Sequence, residues 1–381
     1  MKFAVVGSGF SGSVIAYELS QAGHDIDVFE SRNHIGGNCF TTRDEDTNVM
    51  LHLYGPHIFH TDNEDVWNYV SSFTNFKPYV ARVKCTTKDQ IFSLPINLHT
   101  INQFFNKTFS PKEAEVFLDS IRDKTIESPK SFEELALQSV GKELYEAFFK
   151  EYAIKQWGIN PRDIPASVLS RLPLRFNYDD NYFRHAYQGI PEEGYTPIFE
   201  KLLNHKSIKL HMGVSFNKAS IEKFDHVFYT GPIDGWFNYE HGHLGYRTLD
   251  FMPEVHKGDY QGCAVMSYPS SNIPYTRITE HKHFTPWENH ESTVVYKEYS
   301  RLCEGNDIPY YPIRQVNEKA MLRLYLKESR KEKKVSFIGR LGTYRYLDMD
   351  VTIAEALVVA KQTLKVIEKG GVIPVFFVDP A

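Results

Sequence analysis

The first thirty residues alternate between short apolar runs and a glycine-rich turn. Residues 2–6 form an apolar run that leads into Gly7-Ser8-Gly9-Phe10-Ser11-Gly12. The apolar positions that follow can supply one face of a helix, namely Val14, Ile15, Ala16 and Leu19. Residues 25–30 then alternate as a second strand that ends in an acid. This order of strand, tight turn, helix and strand predicts half of a βαβ unit.

A helical pattern follows between about residues 110 and 157. Ser110 with Glu113 and Ser131 with Glu134 each form a capping-box pattern, so at least two helices are predicted. In the second, apolar positions recur every four residues at Val140, Leu144, Phe148 and Tyr152. The stripe continues to Trp157, and Asn160-Pro161 ends it.

Short runs typical of strands dominate from about residue 240 to 300, which predicts antiparallel sheet. Strand-to-glycine elements recur at 225–231 and 335–340, so the opening fold is predicted to be completed late in the chain. We therefore predict an α/β protein with a discontinuous Rossmann-like cofactor domain, a helical-bundle insert and an antiparallel β-sheet insert. The predicted ranges are 1–78, 190–240 and 315–381 for the cofactor domain, 98–180 for the helical insert, and 79–97, 181–189 and 241–314 for the sheet.

Composition narrows the class of protein. Of 381 residues, 42% are hydrophobic and 24% charged, which excludes disorder as the main state. The net charge of -5 gives no overall positive field, so neither nucleic acid nor an anionic membrane is an expected partner. No apolar stretch approaches the about 20 residues of a membrane span, and we expect a soluble cytoplasmic protein. The cysteines at 39, 85, 263 and 303 lack Cys-x-x-Cys pairing, which argues against zinc and against a disulfide framework.

The glycine motif at residues 7–12 is typical of dinucleotide binding. Gly7 permits the tight turn, Gly9 lets the backbone approach a pyrophosphate, and Gly12 lets the helix pack on the strand. Glu30 is placed to bind the ribose hydroxyls of an adenosine and would repel a 2′-phosphate, which disfavours NADP. Arg32 and the following Gly36-Gly37-Asn38 favour FAD over NAD, because a second glycine pair lets the backbone run close to a buried cofactor.

Two arginines stand among apolar and aromatic residues, Arg171 in 169–173 and Arg277 in 275–280. Either one alone is by default a solvated surface charge, but such surroundings also suit a phosphate pair. Phe148 and Tyr152 lie one helical turn apart and are predicted either to pack in a core or to stack on a base.

Three histidines, His52, His57 and His60, cluster around Tyr54-Gly55-Pro56. Their spacing and the lack of nearby acids do not favour a metal site, and we predict structural histidines or one near a cofactor ring. Neither a nucleophile elbow nor a Walker loop is present in the sequence.

Several longer segments together resemble the bacterial UDP-galactopyranose mutase family, and the resemblance spans nearly the whole chain. The glycine fingerprint is shared by many flavoproteins, whereas the tyrosine-rich segments are specific to this family. The segments are 7–12, 54–61, 152–158, 176–182, 275–281 and 339–350.

The resemblance implies an FAD enzyme, active with reduced flavin, that interconverts UDP-galactopyranose and UDP-galactofuranose without net redox change. In that family N5 of the reduced flavin attacks the anomeric carbon, UDP departs, the sugar ring opens and recloses, and UDP adds again. The resemblance further implies an external reductant, a homodimer, and a supply of galactofuranose for cell-surface polysaccharide.

The same matching implies roles for individual residues. The catalytic residues would be Arg171, Arg277 and His60. The substrate would be bound by Phe148, Tyr152, Trp157, Arg171, Tyr182, Ser267, Arg277, Tyr311, Tyr346 and Asp348. The cofactor would be bound by Gly7, Gly9, Phe10, Ser11, Gly12, Glu30, Arg32, Gly37, Asn38, His57, Ile58, Val214, Arg340, Leu347, Asp348 and Met349. No metal is implied.

Two departures from the family pattern bear on the substrate. Ala81 and Ser267 stand where related mutases often carry Asn, and the smaller side chains favour UDP-N-acetylgalactosamine as a secondary substrate. Two other classes stay open. One is an FAD oxidoreductase of the amine-oxidase type, which shares the glycine fingerprint, and the other is a nucleotide-binding sensor without catalysis.

Overall fold

The structure is a computed structural model that describes residues 1–169, 174–313 and 316–380. The strands in these ranges are β1 Lys2–Val6, β2 Asp25–Glu30, β3 Thr41–Arg43, β4 Met50–His52, β5 Phe59–Thr61, β6 Phe76–Pro78, β7 Val83–Thr87, β8 Gln90–Leu94, β9 Tyr187–Pro191, β10 Ile208–Met212, β11 His226–Tyr229, β12 Tyr246–Lys257, β13 Val265–Ser267, β14 Arg277–Glu280, β15 Ser292–Leu302, β16 Tyr311–Pro312 and β17 Val335–Phe337. The α-helices are α1 Phe10–Gln21, α2 Glu64–Ser71, α3 Leu98–Phe105, α4 Pro111–Ile121, α5 Phe132–Leu144, α6 Glu151–Trp157, α7 Thr196–Leu203, α8 Ile233–Trp236, α9 Val316–Ser329, α10 Gly339–Gly342 and α11 Met349–Glu368.

A parallel sheet in the order β10-β2-β1-β11-β17 forms the centre of the cofactor domain. Because side chains alternate across a strand, Phe3 and Val5 of β1 pack under α1 and α11, whereas Ala4 joins the opposite core with α9. Strands from the beginning, middle and end of the chain therefore share one sheet. This arrangement confirms the predicted α/β fold with a Rossmann-like sheet built from separate segments.

A second sheet has the order β16-β12-β15-β14-β13-β7-β8. Its longest pairing joins β12 and β15, from Arg247 opposite Leu302 to Lys257 opposite Ser292. The sheet is mostly antiparallel, but β7 and β13 run parallel. Strands this far apart in sequence are not joined by a hairpin, which would force them to pair antiparallel. The local residue pattern does not show whether such strands pair parallel or antiparallel.

The helical segment differs from the single continuous stripe that the sequence predicts. Both capping boxes form, at Ser110 with Glu113 and at Ser131 with Glu134. The second helix breaks at Gly141, whose φ of 80° lies in the left-handed region. A π-helical turn over Tyr145–Lys150 then leads into α6. The wider turn changes which residues share a face after residue 144.

Smaller elements join these layers. β5, β9 and β6 form a three-stranded antiparallel sheet, and β3 pairs with β4. Helices long and apolar enough to cross a membrane are absent from the part of the chain that the structure describes. The domain boundaries given above stay a prediction.

Candidate active site

The turn between β1 and α1 is closed by contacts that only glycine allows. Gly7 has a φ of 102°, and a Cβ there would lie 2.1 Å from Oγ1 of Thr230. A Cβ on Gly12 would lie 1.9 Å from the carbonyl oxygen of Gly7. The outer glycines of the motif therefore serve the turn and the packing of helix against strand, as predicted from their spacing.

The backbones of Gly9 and Gly37 approach each other closely, and we call the region bordered by these glycines and the start of α1 the cradle. A Cβ on Gly37 would lie 3.2 Å from Cα of Gly9, and one on Gly9 would lie 3.9 Å from Cα of Gly37. Gly9 is also the N-cap of α1, whose first turn includes Phe10 and Ser11. The first N–H groups of a helix have no partner within the helix, so they are free to bind an anion.

The acid at the end of β2 is held by hydrogen bonds from the neighbouring turn. The Ser8 amide and hydroxyl donate to Oε2 of Glu30 at 2.9 and 2.7 Å, and the Arg32 amide donates to Oε1 at 2.9 Å. The Val214 amide donates to the Glu30 carbonyl at 2.9 Å. The carboxylate is therefore fixed at the edge of the cradle, where an adenosine ribose would lie.

Arg32 points its guanidinium toward the same region. Nη2 donates to Asn38 at 2.9 Å, and the guanidinium lies 4.5 Å from the ring centroid of Tyr54. Nη1 is buried and has no hydrogen-bond partner among the described residues. A buried cationic N–H without a partner costs free energy unless a ligand accepts from it.

The late segment returns to this cradle. A Cβ on Gly339 would lie 2.6 Å from Oγ of Ser11. The Arg340 guanidinium donates to the Tyr310 carbonyl and lies 5.1 Å from the ring centroid of Tyr346. Asp348 is the N-cap of α11, and its carbonyl accepts from the amide and hydroxyl of Thr352. The remaining predicted cofactor residues are Leu347, buried beside Asp348, Met349 at the start of α11, and Ile58 next to β5.

Tyrosines from distant segments meet beside this region. The rings of Tyr311 and Tyr346 stack at 5.8 Å, and Trp157 lies 6.2 Å from Tyr311. Burial raises the pKa of Tyr152, Tyr182 and Tyr311, while the nearby positive charge of Arg277 acts in the opposite direction on each. These hydroxyls therefore stay protonated at neutral pH and can donate hydrogen bonds to a phosphate or a sugar.

Arg277 is the cation at the centre of this group. Its Nε donates to Oε2 of Glu298 at 2.7 Å, and the exposed fractions of the two side chains are 24% and 1%. Burial is the largest influence and opposes the charge of Arg277, but the Glu298 carboxylate together with Tyr152 and Tyr311 outweighs burial and raises the pKa of the guanidinium. Its charge also acts on the buried hydroxyls of Tyr152, Tyr182 and Tyr311, so the guanidinium lies close to these tyrosines.

The other predicted substrate residues are placed differently. Ser267 lies on β13 directly opposite Arg277 and is buried. Phe148 lies in the π-helical turn and packs against Phe92 and Phe104 in the core of the helical segment. Its role as a base platform stays a prediction. Arg171 lies outside the described residues.

The histidines near residue 57 have distinct surroundings. Nδ1 of His57 lies 2.8 Å from the Gly55 carbonyl, and burial lowers the pKa of His57 to about 4 with help from Arg340 and Arg277. Nδ1 of His60 lies 2.7 Å from Nδ1 of His185, so one ring must donate and the other accept. His52 is fully buried, and its Nδ1 accepts from the His57 amide at 3.2 Å.

Among the described residues, one group of three has the geometry to hold a metal ion, Asp259, Glu280 and His283. The Lys282 ammonium lies 2.6 Å from the Asp259 carboxylate, and backbone amides of Tyr260 and Gln261 already donate to Glu280. Both carboxylates therefore already have a cationic or backbone N–H partner within the protein. The predicted histidine cluster around Tyr54 is separate from it.

Sequence reasoning missed Glu298, the partner of Arg277. A signal was available, because an arginine inside a strand of a buried sheet needs a counter-charge. The sequence offers several acids within the sheet region, however, and only the register of β14 against β15 places Glu298 opposite Arg277.

Comparison with known proteins identifies the family. The family model for UDP-galactopyranose mutase matches residues 147–346, and a model for an NAD(P)-binding Rossmann-like domain matches residues 5–73. A probable UDP-galactopyranose mutase from Klebsiella pneumoniae is 58% identical over 374 residues, which cover 98% of this chain and 97% of the relative. A dTDP-fucopyranose mutase from Escherichia coli is 53% identical and covers 96% of this chain and 98% of the relative.

The fold is shared with a solved structure. A crystal structure of reduced UDP-galactopyranose mutase matches with a TM-score of 0.70 and 15% identity, covering 96% of each chain. The resemblance drawn from the tyrosine-rich segments is therefore confirmed. This chain, with its dinucleotide cradle and its cluster of tyrosines around Arg277, belongs to the UDP-galactopyranose mutase family of isomerases.

Proposed function

We propose that the protein is a flavin-dependent mutase that interconverts UDP-galactopyranose and UDP-galactofuranose with reduced FAD. The observation that carries this proposal is the placement of Arg277, held by buried Glu298 among protonated tyrosines. A diphosphate that leaves a sugar gains negative charge as the glycosidic bond breaks. A cation oriented beforehand at that position stabilises the transition state more than the ground state.

The cradle fits FAD. Gly9 at the N-cap of α1 lets the backbone approach a pyrophosphate, Glu30 suits the ribose hydroxyls, and the buried Nη1 of Arg32 supplies an unsatisfied donor. Arg340 and Asp348, the latter at the start of α11, are proposed to bind the rest of the cofactor. When bound in its reduced form, the flavin would supply the electron-rich nucleophile for the anomeric carbon.

The chain's own residues bind and orient the nucleotide sugar. Tyr152 and Trp157, at the two ends of α6, are proposed to bind uridine, with Phe148 supporting them from the core. Tyr182, Tyr311, Tyr346 and Asp348 are proposed to contact the phosphates and the sugar edge. Arg171 is proposed as the second cation at the diphosphate, and His60 as a residue near the flavin.

The protonation state of His57 bears on how the proposed cofactor site binds anions. If its Nδ1–H donates to the Gly55 carbonyl, Nε2 of the neutral ring is an acceptor. Because burial lowers its pKa to about 4, His57 carries no charge at neutral pH. It therefore does not compete with Arg277 and Arg340 for an anionic ligand.

Two other nucleotide sugars are candidate substrates. The 53% identity to a dTDP-fucopyranose mutase favours dTDP-fucose as a second candidate. Ala81 is buried, and its carbonyl accepts from the Tyr182 amide at 2.7 Å, so this small side chain lies next to a proposed sugar-contacting residue. Together with Ser267 it supports UDP-N-acetylgalactosamine as a secondary substrate.

The experiment compares the furanose forms of the three nucleotide sugars with the flavin oxidised and then chemically reduced. We expect conversion of UDP-galactofuranose only after reduction, with many turnovers for each flavin. A higher kcat/KM for dTDP-fucofuranose would identify dTDP-fucose as the preferred substrate, and the proposed type of reaction would stand. Stoichiometric flavin reduction by an amine, with no isomer formed, would instead support the amine-oxidase alternative.

The cellular setting is proposed from the family. The protein would work in the cytoplasm, take electrons from an external reductant and form a homodimer, and its product would supply galactofuranose for cell-surface polysaccharide. Size-exclusion chromatography with light scattering tests the dimer directly.

A further inference from the structure

The ammonium of Lys155 lies inside a loop rather than on the surface. Nζ donates to the carbonyl oxygens of Ser270, Ile273 and Tyr275 at 2.9 Å each, and also to that of Tyr268. All four acceptors belong to the connection between β13 and β14. Carbonyl dipoles that converge on one point repel each other unless a cation lies between them, so the loop conformation depends on this charge.

A second side chain of the same helix holds the same loop. Glu151 lies one turn before Lys155 on α6, and its Oε2 accepts from the Ser271 amide at 2.6 Å. Helix α6 therefore supplies a carboxylate that accepts from the Ser271 amide and an ammonium that donates to the carbonyls of the loop. We call the side chains of Glu151 and Lys155, together with residues 268–275, the clasp.

The clasp connects the two parts of the proposed nucleotide site. The loop begins directly after Ser267 and ends directly before Arg277. On the helix, Tyr152 lies between Glu151 and Lys155, and its pKa responds to the charge of Arg277. A shift of the loop relative to α6 would therefore move Arg277 relative to Tyr152.

We propose that Lys155 is a positioning residue that holds the β13–β14 connection on α6 and thereby fixes Arg277 relative to Tyr152 for nucleotide diphosphate binding. This inference rests on the proposed function, because it assigns a nucleotide diphosphate to the same site. Lys155 does not contact the ligand in this account. Its charge acts through the loop.

The test compares Lys155→Met with Lys150→Met in the FAD-loaded protein. Methionine keeps an unbranched side chain only one atom shorter than lysine and removes the charge, and Lys150 is an exposed lysine just before α6. Hydrogen exchange of peptides covering residues 268–276 reports the clasp without any ligand. We expect faster exchange in Lys155→Met and no change in Lys150→Met.

Equilibrium binding of UDP and of dTDP reports the consequence for the site. We expect Lys155→Met to weaken whichever nucleotide binds by about tenfold or more, and Lys150→Met to leave it unchanged. Unchanged exchange in Lys155→Met would overturn the clasp, and faster exchange with unchanged binding would overturn the positioning role. If the wild type binds neither nucleotide, the proposed function and the positioning role fail together, whereas the exchange result still decides the clasp.

The pH dependence of nucleotide binding distinguishes a positioning role of the Lys155 charge from simple structural support. Burial lowers the pKa of Lys155 to about 8, opposed by Glu151 and Cys85, whereas the pKa values of Cys85 and Tyr268 are both raised to about 12 and that of Tyr275 is also raised. Lys155 is then the member of this group that loses its charge between about pH 7 and 9. Wild-type nucleotide binding should weaken over that range and binding by Lys155→Met should not. Equal profiles would contradict the proposal.

Discussion

The ion pair between Arg277 and Glu298 has one fully buried end, Glu298, and one partly exposed end, Arg277. Replacing Glu298 with Gln keeps the shape and an acceptor but removes the charge that fixes Nε. We expect Glu298→Gln to lower kcat/KM for the nucleotide sugar by about tenfold or more, since hydrogen bonds to charged groups are worth roughly 1.5–3 kcal/mol. The FAD content should stay unchanged. Steady-state kinetics with flavin absorbance measures both.

Glu254→Gln is the matched control for this prediction. Glu254 also pairs with a cation of β15, Lys297, but that pair is partly exposed. Exposed ion pairs contribute little, so activity should be retained. An equal loss in both variants would mean that sheet stability, and not the orientation of Arg277, explains the effect.

At the residue scale, the sequence predicts the residues proposed to contact the ligands better than the residues that hold them in place. Arg277 stands out because a charge occurs among aromatic and β-branched neighbours, and the glycines of the motif are fixed by backbone geometry. Glu298 and Lys155 give no such local signal. Both act across pairings between distant segments, and a single sequence does not determine those pairings.

At the scale of elements, a substitution in the cradle between α1 and the segment after β2 is expected to weaken FAD binding without disturbing the fold. Gly9 has a φ of -74°, which any residue adopts, and the nearest contact of an added Cβ is 3.9 Å away. Gly9→Ala is therefore expected to fold normally. Its methyl group would occupy space proposed for the pyrophosphate, and we expect FAD affinity to fall by about tenfold or more.

Flavin content and a titration of apoprotein with FAD measure this effect. Gly371→Ala, after the end of α11, is the control because a Cβ there would meet only Val366 of α11, at 3.2 Å, and lies outside the glycine motif. FAD affinity unchanged in Gly9→Ala would exclude a close approach of the cofactor to this turn.

The helical segment shows what periodicity alone misses. Spacing of four residues predicts that Phe148 and Tyr152 lie on one face, as they would in a regular α-helix. The π-helical turn ends between them, so Phe148 packs in the core while Tyr152 lies near Arg277. The helix starts were predictable from their capping boxes, but a π-helical turn has no comparable sequence signature.

At the scale of the whole molecule, four histidines couple folding to pH, three of them buried and His57 partly buried. Burial lowers the pKa of His57 and His226 to about 4, that of His281 to about 3, and that of His52 well below its usual value. The unfolded chain therefore binds more protons between pH 6.5 and 4. Stability should fall as the pH decreases through this range, by about 1.4 kcal/mol per pH unit for each histidine.

Urea unfolding at fixed excess FAD between pH 7.5 and 5 measures this slope. His226→Gln removes one of the four histidines and keeps a partner for Ser336. Its slope should be shallower than that of the wild type. Stability that is flat or rises toward acid pH would contradict the burial of these rings in neutral form.

The layout of the whole chain was predictable because strand-to-glycine elements recur in its beginning, middle and end. Parallel strands of one sheet must come from such separated segments. The parallel pair of β7 and β13 was not predictable, since neither strand differs in pattern from an antiparallel one.

The central claim is that the diphosphate leaves the sugar and is held at Arg277 while the ring changes form. Positional isotope exchange tests it directly, using UDP-galactopyranose with ¹⁸O in the bridge between the anomeric carbon and the β-phosphorus. With the flavin reduced, ³¹P NMR should show the label moving to non-bridging positions at least as fast as the furanose appears. Formation of the furanose with the label still entirely in the bridge would contradict the account.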